Sequence, residues 1–348
     1  MNDIIEAYID FNTSLNTTDE YVKNTFLRNN GIQSIIDNYN GENKELLAYY
    51  KSMIDAQIQY NAIIINLYGA YERYVRSIAK YYLLELLKHC TSIEGVPEKI
   101  CKSYRKNLGE FLSNPNRFNN ANLNQKESVK NYLMFLDSNF DNADIELLLS
   151  RSGNLKIEQL RTLLTDIGLL EDKKLSDSIF LENYYLKNDI YDKTDFDRKK
   201  SRKENDLFLP LDQLVASRNK VAHTGEDNER ISSTLLRETT IPFLHTVSRI
   251  ILDVIINSLA SFIQEMHIFT VINVFDNHIL CINNQGFNVR TGDIIVYKHN
   301  GKLKNAIVTE IQINHEKVVD TGSDTVDVGL NLDNTICADD EIICILNR

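Results

Sequence analysis

Arg218 and His223, five residues apart, pair a permanent cation with a side chain able to exchange a proton. Leu211, Leu214, Val215, Arg218, Val221 and Ala222 recur at helical spacing, so one stripe of a helix is apolar except for an arginine in its middle. A guanidinium keeps its charge at any physiological pH, and burying it unpaired is costly. That face must therefore supply a carboxylate, a phosphate or an opening to solvent. Gly225 suits the left-handed position that ends a helix, which predicts termination near Thr224 and puts His223 in the last turn. An imidazole there sits at the negative end of the helix dipole and exchanges its proton near neutral pH, so His223 is a candidate general acid or base. Asn219 shares its face. Arg218 lies about 140° round the helix from His223, so the two converge only if the last turn loosens or a second chain helps. The plainer alternative is that Arg218 makes a structural ion pair and His223 only caps the helix.

Other segments must position these residues. From residue 43 to His89 there is no proline and Gly69 is the one glycine, which predicts one long helix or two in line. Within it Glu72 is surrounded at helical spacing by Ile65, Tyr68, Gly69, Val75 and Ala79, which predicts an acid on an apolar face, suited to pair with Arg218. Thr17-Thr-Asp-Glu20 has the form of a capping box, so the first 42 residues are expected to be short helices. Asparagines at 114, 116, 119, 120, 122 and 124 around Pro115 predict a loop. A polar run, Tyr191 to Asp206, carries Arg198, Lys199, Lys200, Arg202 and Lys203 just ahead of the arginine helix. It reads as a solvated loop or as a local grip on phosphate. Pro242 and the spacing of Ile250, Ile251, Val254, Ile255, Leu259, Phe262 and Ile263 predict a last helix, for core or dimer interface.

Arg218-Asn-Lys-Val-Ala-His223, followed by Thr-Gly, resembles the arginine, four to six residues, histidine motif of the HEPN superfamily of ribonucleases, with the asparagine favoured after the arginine. Leu67-Tyr-Gly-Ala-Tyr-Glu-Arg-Tyr-Val-Arg76 resembles the position of that family's acidic residue, with Glu72 as the acid. The likeness is nearest to the RiboL-PSP-HEPN type and covers residues 43–266. It implies a helical bundle, a homodimer whose two motifs share one cleft, and metal-independent cleavage of RNA through attack by the 2′-hydroxyl. It implies catalytic roles for His223, Arg218, Asn219 and Glu72. Arg198, Lys199, Lys200, Arg202 and Lys203 are the candidate RNA contacts.

After Met266 the apolar period changes from three-and-four to alternation. Strands are expected at 268–274, 278–282, 293–297, 306–313, 325–330 and 341–346, forming a small barrel over residues 267–348. Val289-Arg-Thr-Gly-Asp-Ile-Ile-Val296 and the strands after it are similar in pattern to the second domain of translation GTPases. With no phosphate-binding Gly-x4-Gly-Lys-Ser/Thr in the chain, a nucleotide-hydrolysing factor of that kind is excluded in practice. Residues 276–348 hold eleven acidic and six basic side chains, a better match to a protein partner than to RNA.

The fold class expected is therefore mainly α with a C-terminal all-β domain. The 348 residues carry a net charge of −11, which excludes non-specific wrapping of nucleic acid or an anionic membrane over most of the surface. The five cysteines are scattered and are expected to be reduced and mostly buried, and the six histidines other than His223 look isolated, so no metal and no cofactor are expected. The N-terminus has no basic and apolar leader, which predicts a cytoplasmic protein with no membrane partner. The function expected is that of a toxic endoribonuclease of an antiphage or toxin-antitoxin system, acting on RNA with tRNA among the substrates and held by an antitoxin or sensor protein. The competing expectation is a non-catalytic scaffold in which Glu72 and Arg218 hold the bundle together and the β domain binds a protein.

Overall fold

A computed structural model describes the chain apart from residues 40, 42, 54–55, 119–122, 150–153, 171–173, 228, 260–261, 263–269 and 347–348. The helices are α1 (Asn2–Asp37), α2 (Lys44–Met53), α3 (Ala56–His89), α4 (Glu98–Ser113), α5 (Gln125–Leu136), α6 (Ile145–Leu148), α7 (Ile157–Asp166), α8 (Ile179–Lys187), α9 (Lys193–Arg202), α10 (Leu209–Thr224), α11 (Ser233–Leu235) and α12 (Ile241–Leu259). The strands are β1 (Thr270–Phe275), β2 (Ile279–Asn283), β3 (Ile294–His299), β4 (Lys302–Ile313), β5 (Glu316–Val318), β6 (Asp327–Leu332) and β7 (Glu341–Leu346). The mainly helical chain with a C-terminal β domain is as the periodicity predicts. His267, Ile263, Asn119, Asn120, Asn122 and the start of the first expected strand lie outside the described residues.

Two compact units divide the chain, one of residues 10–80 and 96–250, the other of residues 1–9, 81–95 and 251–348. In the first unit α3 is the spine. Its Ile64, Leu67, Tyr71, Val75 and Ile78 are buried, Phe11 stacks on Tyr74 at 4.5 Å between centroids, and the Tyr74 hydroxyl donates to the Ser248 carbonyl at 2.8 Å. On α10, Leu211, Leu214, Val215 and Val221 are buried while Ala222 is exposed, so the apolar stripe stops one residue short of the expected one. Gly225 closes α10 with φ 73°, and its amide donates to the Val221 carbonyl at 2.9 Å, as the glycine predicts.

Three expectations are corrected here. The first residues form one 36-residue helix, α1, instead of several short ones. Thr17 and Thr18 sit inside it, their hydroxyls donating to the carbonyls of Thr13 and Ser14 four residues back, so they satisfy themselves within a helix instead of starting one. The polar run before α10 is no loop. Asp192 caps α9 by accepting from the Asp195 amide at 2.7 Å, and buried Phe196 anchors the helix. The last helix begins at Ser233 and passes through a π turn, Leu236–Thr240, just before Pro242, whose missing N–H cannot donate to the turn behind it.

In the second unit the strands form a curled antiparallel sheet, a half-barrel, in the order β1-β2-β6-β4-β3-β7 with β5 on β4. Strand β5 was not expected from the sequence. Leu280, Ile282, Tyr297, Val308, Ile311, Leu330 and Ile345 fill its core. The β3–β4 hairpin turns on Asn300 and Gly301, both with positive φ (51° and 74°), the two-residue turn whose twist matches the strands, and it sets His299 opposite Lys302. The cysteines are free, but only Cys344 is buried, its thiol pushed up to about 11 by burial; the others are partly exposed, against expectation.

Candidate functional site

Arg218 projects from the middle of α10 and lies over the Tyr68 ring of α3, its Cζ 4.7 Å from the centroid. One of its nitrogens, Nη1, donates to Asn154 Oδ1 at 3.1 Å and to Asn219 Oδ1 at 3.2 Å. Among the described residues, Nη2 and Nε have no partner, and the side chain is partly exposed. Of the three things an arginine in that stripe could require, the fold provides the opening to solvent, lined by an aromatic face and two carboxamides.

Tyr68 does more than carry the guanidinium. Its hydroxyl accepts the Leu155 amide at 3.2 Å, while Asp212, on the first turn of α10, accepts the Ile157 amide at 3.0 Å. These two contacts fix residues 154–157, and with them Asn154, against α3 and α10. Burial raises the Tyr68 hydroxyl's pKa, the Leu155 amide and the nearby Arg218 and Arg76 work against that, and Glu72 reinforces it, so the phenol is a neutral partner at ordinary pH. Tyr71 beside it is fully buried, and its pKa is pushed well up by burial.

Glu72 is placed differently from the sequence reading. It is partly exposed, with 29% of its side chain accessible, and it pairs with Arg76 one turn along α3 at 3.1 Å instead of with Arg218. Ile65, expected to bury it, is itself half exposed. A helical neighbour at i+4 is always within reach, whereas a partner on another helix needs both side chains to extend. The local pair prevails here. Glu72, one turn along α3 from Tyr68, acts on that hydroxyl by its charge and not on the guanidinium through an ion pair.

His223 lies in the last turn of α10, exposed, and makes no hydrogen bond or ion pair among the described residues. The turn that presents it is held from outside. Asn61 Nδ2 donates to the Gly225 carbonyl at 2.8 Å, and Gln57 Nε2 reaches it at 3.4 Å. Lys220, inside the motif, is tied to Glu229 at 2.6 Å and to Asp227 at 3.4 Å. Arg218 and His223 therefore remain on different sides of one regular helix, with no loosening of the last turn to bring them together. Arg218, Asn219, Asn154 and Tyr68 form one group, and His223 stands apart at the helix end.

A buried carboxylate anchors the segment that follows. Asp227 accepts from the Tyr60 hydroxyl at 2.8 Å and from the Glu229 amide at 3.1 Å. Burial pushes this carboxyl up, but the Tyr60 and Ser217 hydroxyls, the Glu229 amide and Lys220 outweigh it and leave its pKa lowered. A depressed folded-state pKa gives stability that is complete above the unfolded value, about 3.9, and is lost as pH falls through the depressed one. Replacing Asp227 by Asn is expected to cost about 2–3 kcal/mol at pH 7. In denaturant melts the gap between wild type and Asp227→Asn should narrow toward pH 3; a gap that holds constant would show that the carboxylate's charge is not what matters.

The five candidate RNA contacts lie on α9 and at its end. Arg198 pairs with Asp195 at 2.6 Å, Lys200 with Asp177 at 2.8 Å, and Lys199 with Asp206 at 3.8 Å while lying over the Tyr191 ring. Arg202 and Lys203 are exposed with no ion pair among the described residues. Three of the five charges are thus already answered by acids, so the run is a weaker phosphate grip than its sequence suggests. The histidines are also less isolated than expected: His89 faces Glu85, His245 bonds Asn12 and burial lowers its pKa, and His299 bonds Asp340. Among the described residues, one group is spaced to hold a metal ion, His299, Cys337 and Asp340, and none of the three belongs to the Arg218 and His223 constellation.

A model of the RiboL-PSP-HEPN family matches residues 23–278, a span that contains Tyr68, Glu72, Asn154, Arg218, Asn219 and His223. No curated protein and no solved structure matches the chain. Among the described residues, one helix, Ser233–Leu259, is long and apolar enough to cross a membrane by composition, and 67% of its most apolar window is buried within the protein.

Proposed function

The chain belongs to the RiboL-PSP-HEPN family, a membership that points to a nuclease-like or RNA-related function, and from that premise we propose that it is a metal-independent endoribonuclease. The observation that carries this reading is the state of the motif. Among the described residues, Arg218 offers two unengaged nitrogens beside an aromatic face, and His223 offers an exposed, unpartnered imidazole on the same helix. A structural ion pair would have occupied the guanidinium with a carboxylate. The scaffold alternative required Glu72 to take that place, and Glu72 is paired with Arg76.

The chemistry needs two things from the protein. The 2′-oxygen forms a bond to phosphorus as its proton leaves, the bond from phosphorus to the 5′-oxygen breaks, and that oxygen takes up a proton. The products are a 2′,3′-cyclic phosphate and a 5′-hydroxyl. His223 exchanges one of these protons. Arg218 meets the charge that builds on the non-bridging oxygens, using the Nη2 and Nε edge left open by its bonds to Asn154 and Asn219. Because Arg218 and His223 face different ways on one helix, a complete site combines Arg218 of one chain with His223 of a second in a homodimer. We assign catalysis to residues 43–266 and protein binding to residues 267–348. The biological setting proposed is a toxic effector restrained by an antitoxin or sensor protein.

The test is to incubate purified protein in EDTA with total tRNA and, separately, with RNA of mixed sequence, and to map the ends. Cyclic phosphates at discrete positions are expected. A product with 3′-hydroxyl ends, or cleavage that appears only when magnesium is restored, would sink the mechanism.

A further inference from the structure

We propose that His299, Cys337 and Asp340 form a binding site for a divalent transition ion, zinc first, in the β domain. An imidazole nitrogen, a thiol sulfur and a carboxylate oxygen from these residues lie within 4.8 Å of one another. They come from separate parts of the chain. His299 ends β3 at the tight Asn300-Gly301 turn, and Cys337 and Asp340 are three residues apart in the turn that leads into β7.

The turn is built to aim its side chains. The Asp340 amide donates to the Cys337 carbonyl at 3.1 Å, and the Cys337 amide donates to Asp340 Oδ2 at 2.7 Å. This leaves Asp340 Oδ1, on a side chain only 2% exposed, directed at His299 Nδ1 at 2.7 Å. His299 Nε2 meets the Asn300 carboxamide at 3.0 Å, so both ring nitrogens are orientated. A rigid turn that presents a thiol and a carboxylate together, with an imidazole fixed opposite, is a donor set of mixed hardness. Zinc accepts nitrogen, sulfur and oxygen ligands at about 2.0–2.3 Å in a tetrahedron, and drawing three donors onto one ion needs side-chain shifts of about 1 Å. His299 is 27% exposed, so solvent reaches the fourth position.

Binding exchanges protons for the ion. The Cys337 thiol proton is released, the imidazole proton that bonds Asp340 moves to Nε2 as Nδ1 turns to the ion, and three metal bonds replace that hydrogen bond. The thiolate and the carboxylate together balance the dication's charge. The ion ties the β3–β4 hairpin to the β6–β7 turn, an anchoring role that needs no part in RNA cleavage and stands whether or not the ribonuclease reading does.

The experiment uses the full-length protein, stripped with chelator and then titrated with cobalt(II) alone and with zinc(II) alone. One equivalent of cobalt is expected to bind with a thiolate-to-cobalt charge-transfer band, which zinc then displaces. Cys337→Ser should abolish the band, and His299→Ala should weaken binding by roughly tenfold or more. Cys281→Ser, which alters a different partly exposed thiol, should leave the band in place. Circular dichroism of the stripped variants checks that each is folded, and zinc should raise the melting temperature of wild type more than that of Cys337→Ser. Absence of the band in folded wild type, or its persistence in Cys337→Ser, overturns the proposal.

Discussion

His223→Ala is expected to lower RNA cleavage by roughly 10²–10⁴-fold, the usual contribution of a positioned general acid or base, while the melting temperature stays where it is. The two halves of this expectation have separate causes. On the proposed ribonuclease mechanism the rate falls because the imidazole carries the proton. Stability is unaffected because His223 is exposed and, among the described residues, bonds to nothing. The turn that carries it is held through the Gly225 carbonyl by Asn61 and Gln57, contacts that do not involve the imidazole. Single-turnover cleavage of a defined RNA, read beside a thermal melt, separates the two. If the variant cleaves like wild type, His223 is not the catalyst. A variant that melts early instead would mean the imidazole supports the helix end, as the plainer reading of a last-turn histidine holds.

What the sequence made legible follows the range over which each feature is decided. The end of α10 at Gly225 was legible because a left-handed residue at a helix terminus is a local demand. The two architectures were legible because a change of period is read over a dozen residues. Failures arose where a local signal was outvoted by packing. Thr17 and Thr18 look like a helix start, yet in α1 they bond back to Thr13 and Ser14, because buried residues before and after them keep the helix going. The basic run reads as a loop by composition, yet Asp192 and Phe196 make it a helix, and three of its charges are met by acids, one of them, Asp177, distant in sequence.

For the site, the residue types of the motif were legible but their company was not. Asn154 is 64 residues before Arg218, in a segment with no periodic pattern, and nothing in the sequence connects the two. Tyr68 was visible only as an apolar neighbour of Glu72, although a tyrosine one turn before that acid could have been read as a surface for a cation. The error over Glu72 was one of distance. Spacing puts it on a particular helix face, but only coordinates decide between a partner one turn away and one on another helix. The same limit hid the His299, Cys337 and Asp340 cluster, since neither Cys337 nor Asp340 is near His299 in the chain.

Arg218→Ala is expected to reduce cleavage by roughly 10²–10³-fold, with the loss in kcat more than in KM, because in the proposed mechanism the guanidinium acts on charge that exists only as the phosphorane forms. Arg218→Lys should fail to restore the rate even though it keeps the charge. An ammonium cannot lie flat over the Tyr68 ring, bond Asn154 and Asn219 from one nitrogen, and still present two donors to phosphate. Tyr68→Phe is the companion variant. It keeps the ring beneath the guanidinium and removes the hydroxyl that accepts the Leu155 amide, so it should cost about 1 kcal/mol of stability with a far smaller effect on rate. Steady-state kinetics and denaturant melts on the three proteins decide between a catalytic and a structural arginine. Full activity in Arg218→Lys would reduce the residue to a point charge. Because the guanidinium has no carboxylate partner among the described residues, a collapse of stability without Arg218 would show that its stacking on Tyr68 holds α10 to α3 more than its charge serves a substrate.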